Sequence, residues 1–364
     1  MPRVLARAGF EVALLAPPDS LAVKSRYVSR IGYLAANAVP LQFLAELTKM
    51  VDGAAPVMLV PCDEMAVRLL FALVLWPPAD LEPAVRSRFA ALITESLGNP
   101  RFYEASIDKT RLPAAAAALG VRVPPYAIVS GVEDAARRAA DFGYPIVLKR
   151  RFGFAGEGVA VISTPDELHR AAEHLLRSDQ LDLGERRLPQ LLVQMFISGT
   201  HQSQALVALR GQPLASFAWE RQVWTRQPKG QTAVLRFVDS PETRMFSEKL
   251  CRGFGMSGFL NAQYLVDAAT GAAYLLEINR RIVTHTHLGE RVGADLPQAL
   301  GDALDGKPVQ PTDGADSGVG ASLVIFPREW LRDPASPYLS TLPSDVPWDE
   351  PELFAAMLRM RNEA

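Results

Sequence analysis

The chain has 364 residues, enough for two or three packed units, and a formal net charge of −2 at pH 7. This near-neutral charge gives no reason to expect a nucleic acid or an anionic membrane as a partner. Cys62 and Cys251 have no second cysteine or histidine at metal-ligand spacing, which favours reduced thiols and the cytoplasm. The most apolar stretch, residues 69–76, is far shorter than the roughly 20 residues of a membrane span, and no signal peptide is recognisable.

The first hundred residues predict a nucleotide-fold α/β domain whose first strand is missing. A helix over residues 2–8, Gly9 and a strand over residues 10–16 form the middle of a βαβ unit. Another buried strand is predicted over residues 56–61. Asp63 and Glu64 follow it and are weak substrate-site candidates, because ligands of open α/β sheets bind at strand ends. Helix N-cap and first-turn roles are the favoured alternative for both residues.

The next segment predicts helices and strands in alternation. After a helix over residues 84–97, we expect a domain boundary near residue 100. Ser106 as N-cap and a run of alanines predict one helix over residues 106–119. The elements that we expect beyond it are an extended segment at 121–125, a helix at 132–143, a hairpin of strands at 144–149 and 159–162, and a helix that begins at a Thr164–Glu167 capping box.

The second half predicts mainly strands. Those expected first lie at residues 188–197, 203–209 and 212–219, followed by helices at 242–254 and 296–304 and a strand at 321–326. Between residues 219 and 230 the chain is basic and aromatic. Arg221, Arg226 and Lys229 in this segment can bind an anionic substrate or form a solvated loop, and the loop is favoured.

A β-hairpin over residues 258–279 is the central feature of the sequence. Two apolar runs flank a polar turn that ends at Gly271. Side chains alternate along a strand, so Asn261 and Gln263 share one face, and Glu277 and Asn279 share another. If the register brings these faces together, their oxygens converge in a set that suits Mg²⁺. A half-exposed polar face is the alternative for these residues taken alone.

A glycine-rich loop follows the strand that ends at Lys149. Gly153, Gly156 and Gly158 give this loop many free N–H groups, and it can fold over a polyphosphate with Lys149 as a point charge. The loop ends in a strand and lacks Gly-Lys-Ser/Thr, so it matches neither a Walker loop nor a Rossmann fingerprint. Taken alone, it is equally typical of a surface hairpin.

In chain order, these features resemble the ATP-grasp superfamily, and most closely its carbamoyl-phosphate synthetase and biotin carboxylase branch. The resemblance covers residues 100–310 and implies an α/β ATP-grasp fold. A truncated Rossmann-like pre-ATP-grasp domain would occupy residues 1–100. The ATP-grasp domain at 101–310 would have a mixed β-sheet platform and a small Gly-loop lid subdomain at about 125–195, and 311–364 would be a C-terminal extension.

The resemblance also implies ATP and Mg²⁺, or Mn²⁺ in its place, as cofactors, and assigns roles to individual residues. Those that would bind the nucleotide are Lys109, Lys149, Arg150, Gly153, Gly156, Gly158, the hinge residues Gln194, Met195, Phe196 and Ile197, His201 at the ribose, Gln263 and Glu277. Gln263, Glu277 and Asn279 would hold the metal. Arg281 and Lys149 would stabilise charge on the transferring phosphoryl group.

The sequence departs from this family pattern after Asn279. Arg280 replaces the usual proline or threonine, and we expect it to add positive charge beside the substrate. His285 and His287 stand where biotin carboxylases place a catalytic glutamate, and their roles stay open.

The function implied is an ADP-forming carboxylate–amine (or carboxylate–thiol) ligase that forms an acyl phosphate. A non-catalytic ATP-binding sensor or scaffold and a domain with no nucleotide are the alternatives. Small-molecule carboxylate and amine partners are implied, and an incomplete sheet edge favours a homodimer.

Overall fold

The chain forms three β-sheets with helices packed against them in a computed structural model. The structure describes residues 1–35, 40–52, 56–153, 158–178, 189–226, 230–310, 312, 314 and 318–360. The sheets have two, four and six strands. Within this described part, no helix has the length and apolar character needed to cross a membrane.

The N-terminal region is built around the two-stranded sheet, which is parallel. Its elements are α1 (Pro2–Arg7), β1 (Ala13–Ala16), β2 (Arg30–Tyr33), α2 (Pro40–Val51), α3 (Glu64–Leu75) and α4 (Pro83–Leu97). Apolar residues of the three longer helices pack together into one core with Leu15 of β1. The helices predicted at 2–8 and 84–97 are confirmed, whereas a Rossmann-like character of this region stays a prediction.

The strand predicted over residues 56–61 is wrong. The Leu59 N–H donates to Ser96 Oγ at 2.8 Å, and the Pro61 carbonyl accepts from the Ile282 N–H at 3.1 Å. This segment therefore bonds to a helix side chain and to the chain beyond the hairpin rather than to a neighbouring strand.

The predicted helix over residues 106–119 is broken into α5 (Tyr103–Ile107) and α6 (Leu112–Ala117). Ser106 does not cap a helix, since its hydroxyl donates to the Tyr103 carbonyl at 2.8 Å. The Asp108 carboxylate instead accepts from the Thr110 N–H at 2.8 Å and from its hydroxyl at 2.6 Å. These two bonds turn the chain at Lys109.

The four-stranded sheet is antiparallel, with the order β3-β6-β4-β5. Its elements are β3 (Tyr126–Val129), α7 (Val132–Phe142), β4 (Ile146–Arg150), β5 (Val159–Ile162), α8 (Pro165–Ser178) and β6 (Leu191–Met195). Apolar residues of α7 and α8 form a core with the strands. Thr164 Oγ1 accepts from the Glu167 N–H at 3.3 Å, which is one of the two bonds of the predicted capping box. The Glu167 carboxylate accepts from the Ser163 N–H at 2.8 Å, one residue before the position that the box requires.

The six-stranded sheet has the order β11-β10-β7-β8-β9-β12. Its pairs are antiparallel, and parallel bridges join Ala215 to Thr312 and Val324 to Ser344. The elements are β7 (Gly199–Leu209), β8 (Gln212–Trp224), β9 (Thr232–Val238), α9 (Pro241–Phe254), β10 (Gly258–Asp267), β11 (Ala273–Asn279), a 3-10 helix (Thr286–Val292), α10 (Leu296–Leu304), β12 (Ser322–Val324), α11 (Arg328–Arg332), α12 (Tyr338–Thr341) and α13 (Pro351–Arg359).

The two faces of this sheet pack against different helices. The odd-numbered Ala205 and Val207 of β7 pack with α10, whereas the even-numbered Leu206 and Ala208 pack with α9. On β10, Phe259 belongs to the same core as the odd-numbered residues of β7. The polar residues of β10 that follow at odd positions therefore extend the α10-side face beyond its apolar core.

Candidate active site

The hairpin of β10 and β11 has the register that the sequence suggested. Gln263 pairs with Glu277 and Asn261 pairs with Asn279, so the four polar side chains line one face. Asn279 Nδ2 lies 3.5 Å from the Asn261 carbonyl oxygen, to which it donates. Asn261 Oδ1 is buried and has no hydrogen-bond partner in the described part of the chain. One carboxylate, amide oxygens and an unused buried oxygen fit a hard cation that takes its other ligands from phosphates.

Two lysines from other elements lie beside this hairpin. Lys109 Nζ donates to the Gly153 carbonyl at 2.8 Å and lies 3.6 Å from Glu277 Oε2. Lys149 is the fourth residue of β4, and only 6% of it is exposed. Lys109 therefore contacts the predicted carboxylate, and Lys149 lies near enough to act on it electrostatically.

The charges of these three groups act on one another. Burial lowers the pKa of the Lys149 ammonium to about 8; Lys109 acts in the same direction and Glu277 opposes it. Burial acts to raise the pKa of the Glu277 carboxyl, but the charges of Lys109 and Lys149 outweigh it and hold that pKa below its usual value. An anionic carboxylate beside two cations is the state expected at neutral pH.

A buried ion pair fixes the backbone that carries Lys109. The Arg151 guanidinium donates to Asp108 Oδ2 at 2.8 and 3.1 Å, and both side chains are almost fully buried. The Lys109 N–H donates to the Arg151 carbonyl at 3.0 Å. Arg151, which directly follows β4, therefore fixes the turn at Asp108 and Lys109 between α5 and α6.

The two ends of the glycine loop are joined by hydrogen bonds. The Arg150 N–H donates to the Gly158 carbonyl at 2.9 Å, and its Nε donates to the Phe152 carbonyl at 2.8 Å. Gly158 has φ +71°, and a Cβ there would lie 2.5 Å from the Arg150 side chain, so both conformation and space require glycine. Gly156 lies outside the described residues.

The residues predicted to bind adenine lie where β6 ends. Gln194 is buried and pairs with Tyr126 on β3 and with Val147 on β4. The Met195 N–H donates to the Pro125 carbonyl at 2.9 Å. Beyond the strand, Phe196 is 39% exposed and Ile197 is buried. Adenine binding by these residues stays a prediction.

His201 lies on β7 beside Trp224 of β8. Its ring meets the ring of Trp224 edge-on at 4.9 Å between centroids. Burial, followed by the charges of Arg221 and Lys149, lowers the pKa of His201 to about 4, against the opposing effect of Glu277. The imidazole is therefore neutral at physiological pH.

Arg281 is held by a residue of α3. Its Nε donates to Glu64 Oε1 at 2.8 Å. Burial raises the pKa of Glu64, although the charge of Arg281 opposes this rise. Glu64 is the first residue of α3 and Asp63 caps that helix by accepting from the Ala66 N–H at 2.7 Å. The helix-start interpretation holds for both acids, and Glu64 in addition contacts the candidate site.

Arg280 lies on the opposite side of the chain from the site, contrary to the expectation that it adds charge beside the substrate. Its guanidinium is fully buried and donates to the Leu97 carbonyl and, at 3.1 Å, to Ser106 Oγ. Burial lowers its pKa to about 10. Because side chains alternate along an extended segment, the residue between Asn279 and Arg281 faces away from them.

Sequence reasoning missed Arg328 and misjudged Arg221. Arg221 lies in β8 rather than in a solvated loop, and its guanidinium is 4.0 Å from the centre of the Trp224 ring. Arg328 donates to Thr284 Oγ1 at 2.9 Å and contacts His285 Nε2 at 3.3 Å. No local pattern marked Arg328, which lies beyond the region of resemblance. Of the other members of the basic segment, Arg226 is exposed and Lys229 lies outside the described residues.

Comparisons with known proteins agree with this fold. Residues 107–285 match the model of the ATP-grasp domain. The D-alanine–D-alanine ligase of Geobacter sulfurreducens is 28% identical over 45% of this chain and 51% of its own length. The carbamoyl phosphate synthase large chain of Thermus thermophilus is 25% identical over 62% of this chain and 22% of its own length.

A solved structure with a similar fold is the biotin carboxylase domain of 2-oxoglutarate carboxylase from Hydrogenobacter thermophilus, with a TM-score of 0.65 and 18% identity over 88% of this chain and 70% of that one. The family match identifies residues 107–285 of this chain as an ATP-grasp domain, and the strand order and the hairpin described above agree with it. The chain spans about half the length of the D-alanine–D-alanine ligase and about a fifth of that synthase.

Proposed function

We propose that this protein is an ATP- and Mg²⁺-dependent, ADP-forming ligase that activates a carboxylate as an acyl phosphate for attack by an amine or a thiol. The observation that carries the proposal is the position of Glu277, whose Oε2 lies 3.6 Å from Lys109 Nζ and whose pKa is lowered by the charges of both Lys109 and Lys149. Two cations and a carboxylate from three separate elements suit a metal-bound triphosphate.

In the proposed reaction, an oxygen of the substrate carboxylate attacks the γ-phosphorus of ATP, and ADP leaves. The amine or thiol then adds to the acyl carbon and loses a proton, and inorganic phosphate leaves. Lys109 and Lys149 would bind the phosphates and stabilise the negative charge of the phosphoryl group during transfer. Arg281, held by Glu64 at 2.8 Å, would stabilise charge at the acyl phosphate.

The metal would be held by Gln263, Glu277 and Asn279, and Mn²⁺ could take the place of Mg²⁺. When bound, Mg²⁺ neutralises charge on the phosphate oxygens. His201, neutral and next to Trp224, would contact the nucleotide at its ribose.

The proposal is tested by measuring ADP release with a panel of carboxylates and with hydroxylamine as a general nucleophile. Lys149→Ala and Glu277→Ala should each lower kcat by on the order of 10²- to 10³-fold, because each removes a charge from the phosphate site. Lys249→Ala removes an exposed lysine from α9 and serves as the control. Full turnover in either site variant would refute the assignment.

We further propose small-molecule carboxylate and amine substrates, and a homodimer. The dimer is supported by the two-stranded β1–β2 sheet, whose outer edges have no further strand among the described residues. Light scattering should give twice the monomer mass of 39.7 kDa, and the monomer mass itself would contradict the dimer.

A further inference from the structure

Arg328 reaches the candidate site from outside the segment that matches the ATP-grasp domain. It begins α11, whereas the match ends at residue 285. Its guanidinium donates to the Thr232 carbonyl at 3.2 Å, to Thr284 Oγ1 at 2.9 Å and to His285 Nε2 at 3.3 Å. These three hydrogen bonds fix the orientation of the guanidinium plane.

Arg221 approaches the same end of the β8–β9 hairpin. Its guanidinium lies 4.0 Å from the centre of the Trp224 ring, and it donates to the Gly230 carbonyl at 3.3 Å. Trp224 pairs with Thr232, whose carbonyl accepts from Arg328. Both arginines therefore contact the same cross-strand pair: Arg221 lies against Trp224, and Arg328 donates to Thr232.

Neither guanidinium has a carboxylate within ion-pair distance among the residues that the structure describes. Arg281, by contrast, is paired with Glu64 at 2.8 Å. Asp345 is the acid that acts on Arg328 electrostatically, and it lies beyond ion-pair distance. Its Oδ1 accepts from the Phe326 N–H at 2.6 Å, and its Oδ2 lies 3.2 Å from His287 Nε2. A partly buried charge that has no ion-pair partner is costly, and a bound anion would offset that cost.

His285 is a neutral hydrogen-bond acceptor that orients the Arg328 guanidinium. A guanidinium has no acceptor, so His285 Nε2 accepts from Arg328 and its ring proton lies on Nδ1. Burial, followed by the charge of Arg328, holds the pKa of His285 well below its usual value. Because this nitrogen is occupied by Arg328, His285 is a positioning residue here.

We infer that the substrate carries a second anionic group, a carboxylate or a phosphate-like group, besides the carboxylate that is phosphorylated, and that Arg221 and Arg328 bind it. The inference rests on the proposed ligase function for the identity of the first carboxylate. The second group would take the free N–H donors of both guanidiniums, for which a planar or tetrahedral oxyanion is the fitting acceptor.

The test is a binding titration in the presence of Mg·ADP at constant ionic strength. The probes are succinate, glutarate and adipate, each against the monocarboxylate of equal chain length, with 3-phosphonopropionate as the phosphate-like arm. The wild-type protein should bind the dianions about tenfold more tightly than the monoanions, as expected when a charge-assisted hydrogen bond is added. If the dicarboxylates bind more tightly than 3-phosphonopropionate, the second anionic group is a carboxylate; if 3-phosphonopropionate binds more tightly, it is a phosphate-like group.

Arg221→Gln and Arg328→Gln should each remove most of this preference, while Arg328→Lys should keep part of it. Arg236→Gln, on the neighbouring strand with Glu220 as its partner, is the matched control and should leave the preference unchanged. Retained Mg·ATP binding in every variant would show that folding is intact.

Equal binding of mono- and dianions by the wild-type protein, binding of none of the probes, or an unchanged preference in both glutamine variants would overturn the inference. If the dianion preference is present but no acid supports ADP release, the ligase proposal fails and the anion site stands.

Discussion

Lys109 Nζ lies between the Gly153 carbonyl, at 2.8 Å, and Glu277 Oε2, at 3.6 Å. One ammonium group therefore links the loop after β4 to the hairpin of the six-stranded sheet. A triphosphate bound here would compete for the Lys109 ammonium, and the Glu277 carboxylate could then turn to the metal that accompanies the phosphates. The arrangement is poised for a ligand with several negative charges.

Lys149 should make nucleotide binding depend on pH. Burial lowers its pKa to about 8, so the free protein carries the ammonium below that pH and loses it above. Only the charged form attracts phosphate, and above about pH 8 binding must take up a proton. We expect the logarithm of the Kd for Mg·ATP to be flat below this pH and to rise by about one unit per pH unit above it.

Calorimetry across this pH range measures the effect. Lys149→Arg keeps the charge at all these pH values and should flatten the profile. An affinity of the wild-type protein that stays constant up to pH 9.5 would exclude this role of Lys149.

Breaking the Asp108–Arg151 ion pair should strongly destabilise the protein. Asp108→Asn removes the buried negative charge that pairs with the Arg151 guanidinium, which costs about 3–5 kcal/mol of unfolding free energy. Urea unfolding measures the loss. Asp134→Asn breaks the exposed pair with Arg137 on α7 and should change stability by less than about 0.5 kcal/mol. Similar small losses in both variants would show that the buried pair does not hold the Lys109 turn.

Arg280 and Arg281 are neighbours with opposite expected roles. Arg280→Met leaves the Leu97 carbonyl and the Ser106 hydroxyl without their donor, so we expect a loss of about 1–3 kcal/mol in stability and an unchanged KM for the carboxylate. Arg281→Met should lower kcat and spare most of the stability. Urea unfolding measures the stability of each variant, and ADP release measures its kcat and its KM for the carboxylate. A raised carboxylate KM in Arg280→Met with normal stability would instead place Arg280 at the substrate.

The register of the hairpin could be predicted from the sequence because strand alternation is strictly local. The same alternation implied that Arg280 faces away from Asn279 and Arg281, and applying it to this residue would have avoided the wrong expectation. The ATP-grasp domain also followed from the order of the motifs, and the match over residues 107–285 confirms it.

Other features depended on contacts that no local pattern encodes. The alanine run favours one helix over residues 106–119, but Asp108 bonds to Thr110 and to the distant Arg151, and this breaks the helix. Arg328 reaches the loop that carries His285 only because β12 pairs with β9 and sets the start of α11 beside that loop.

We propose that Glu277 holds a metal ion against the phosphates of ATP. The most direct measurement compares the affinity for Mg·ATP with that for ATP in the presence of EDTA, in the wild-type protein and in Glu277→Gln. We predict that the wild-type protein binds Mg·ATP at least about tenfold more tightly than metal-free ATP, and that the variant loses this difference. A Glu277→Gln variant that keeps the full preference for Mg·ATP would contradict the metal site.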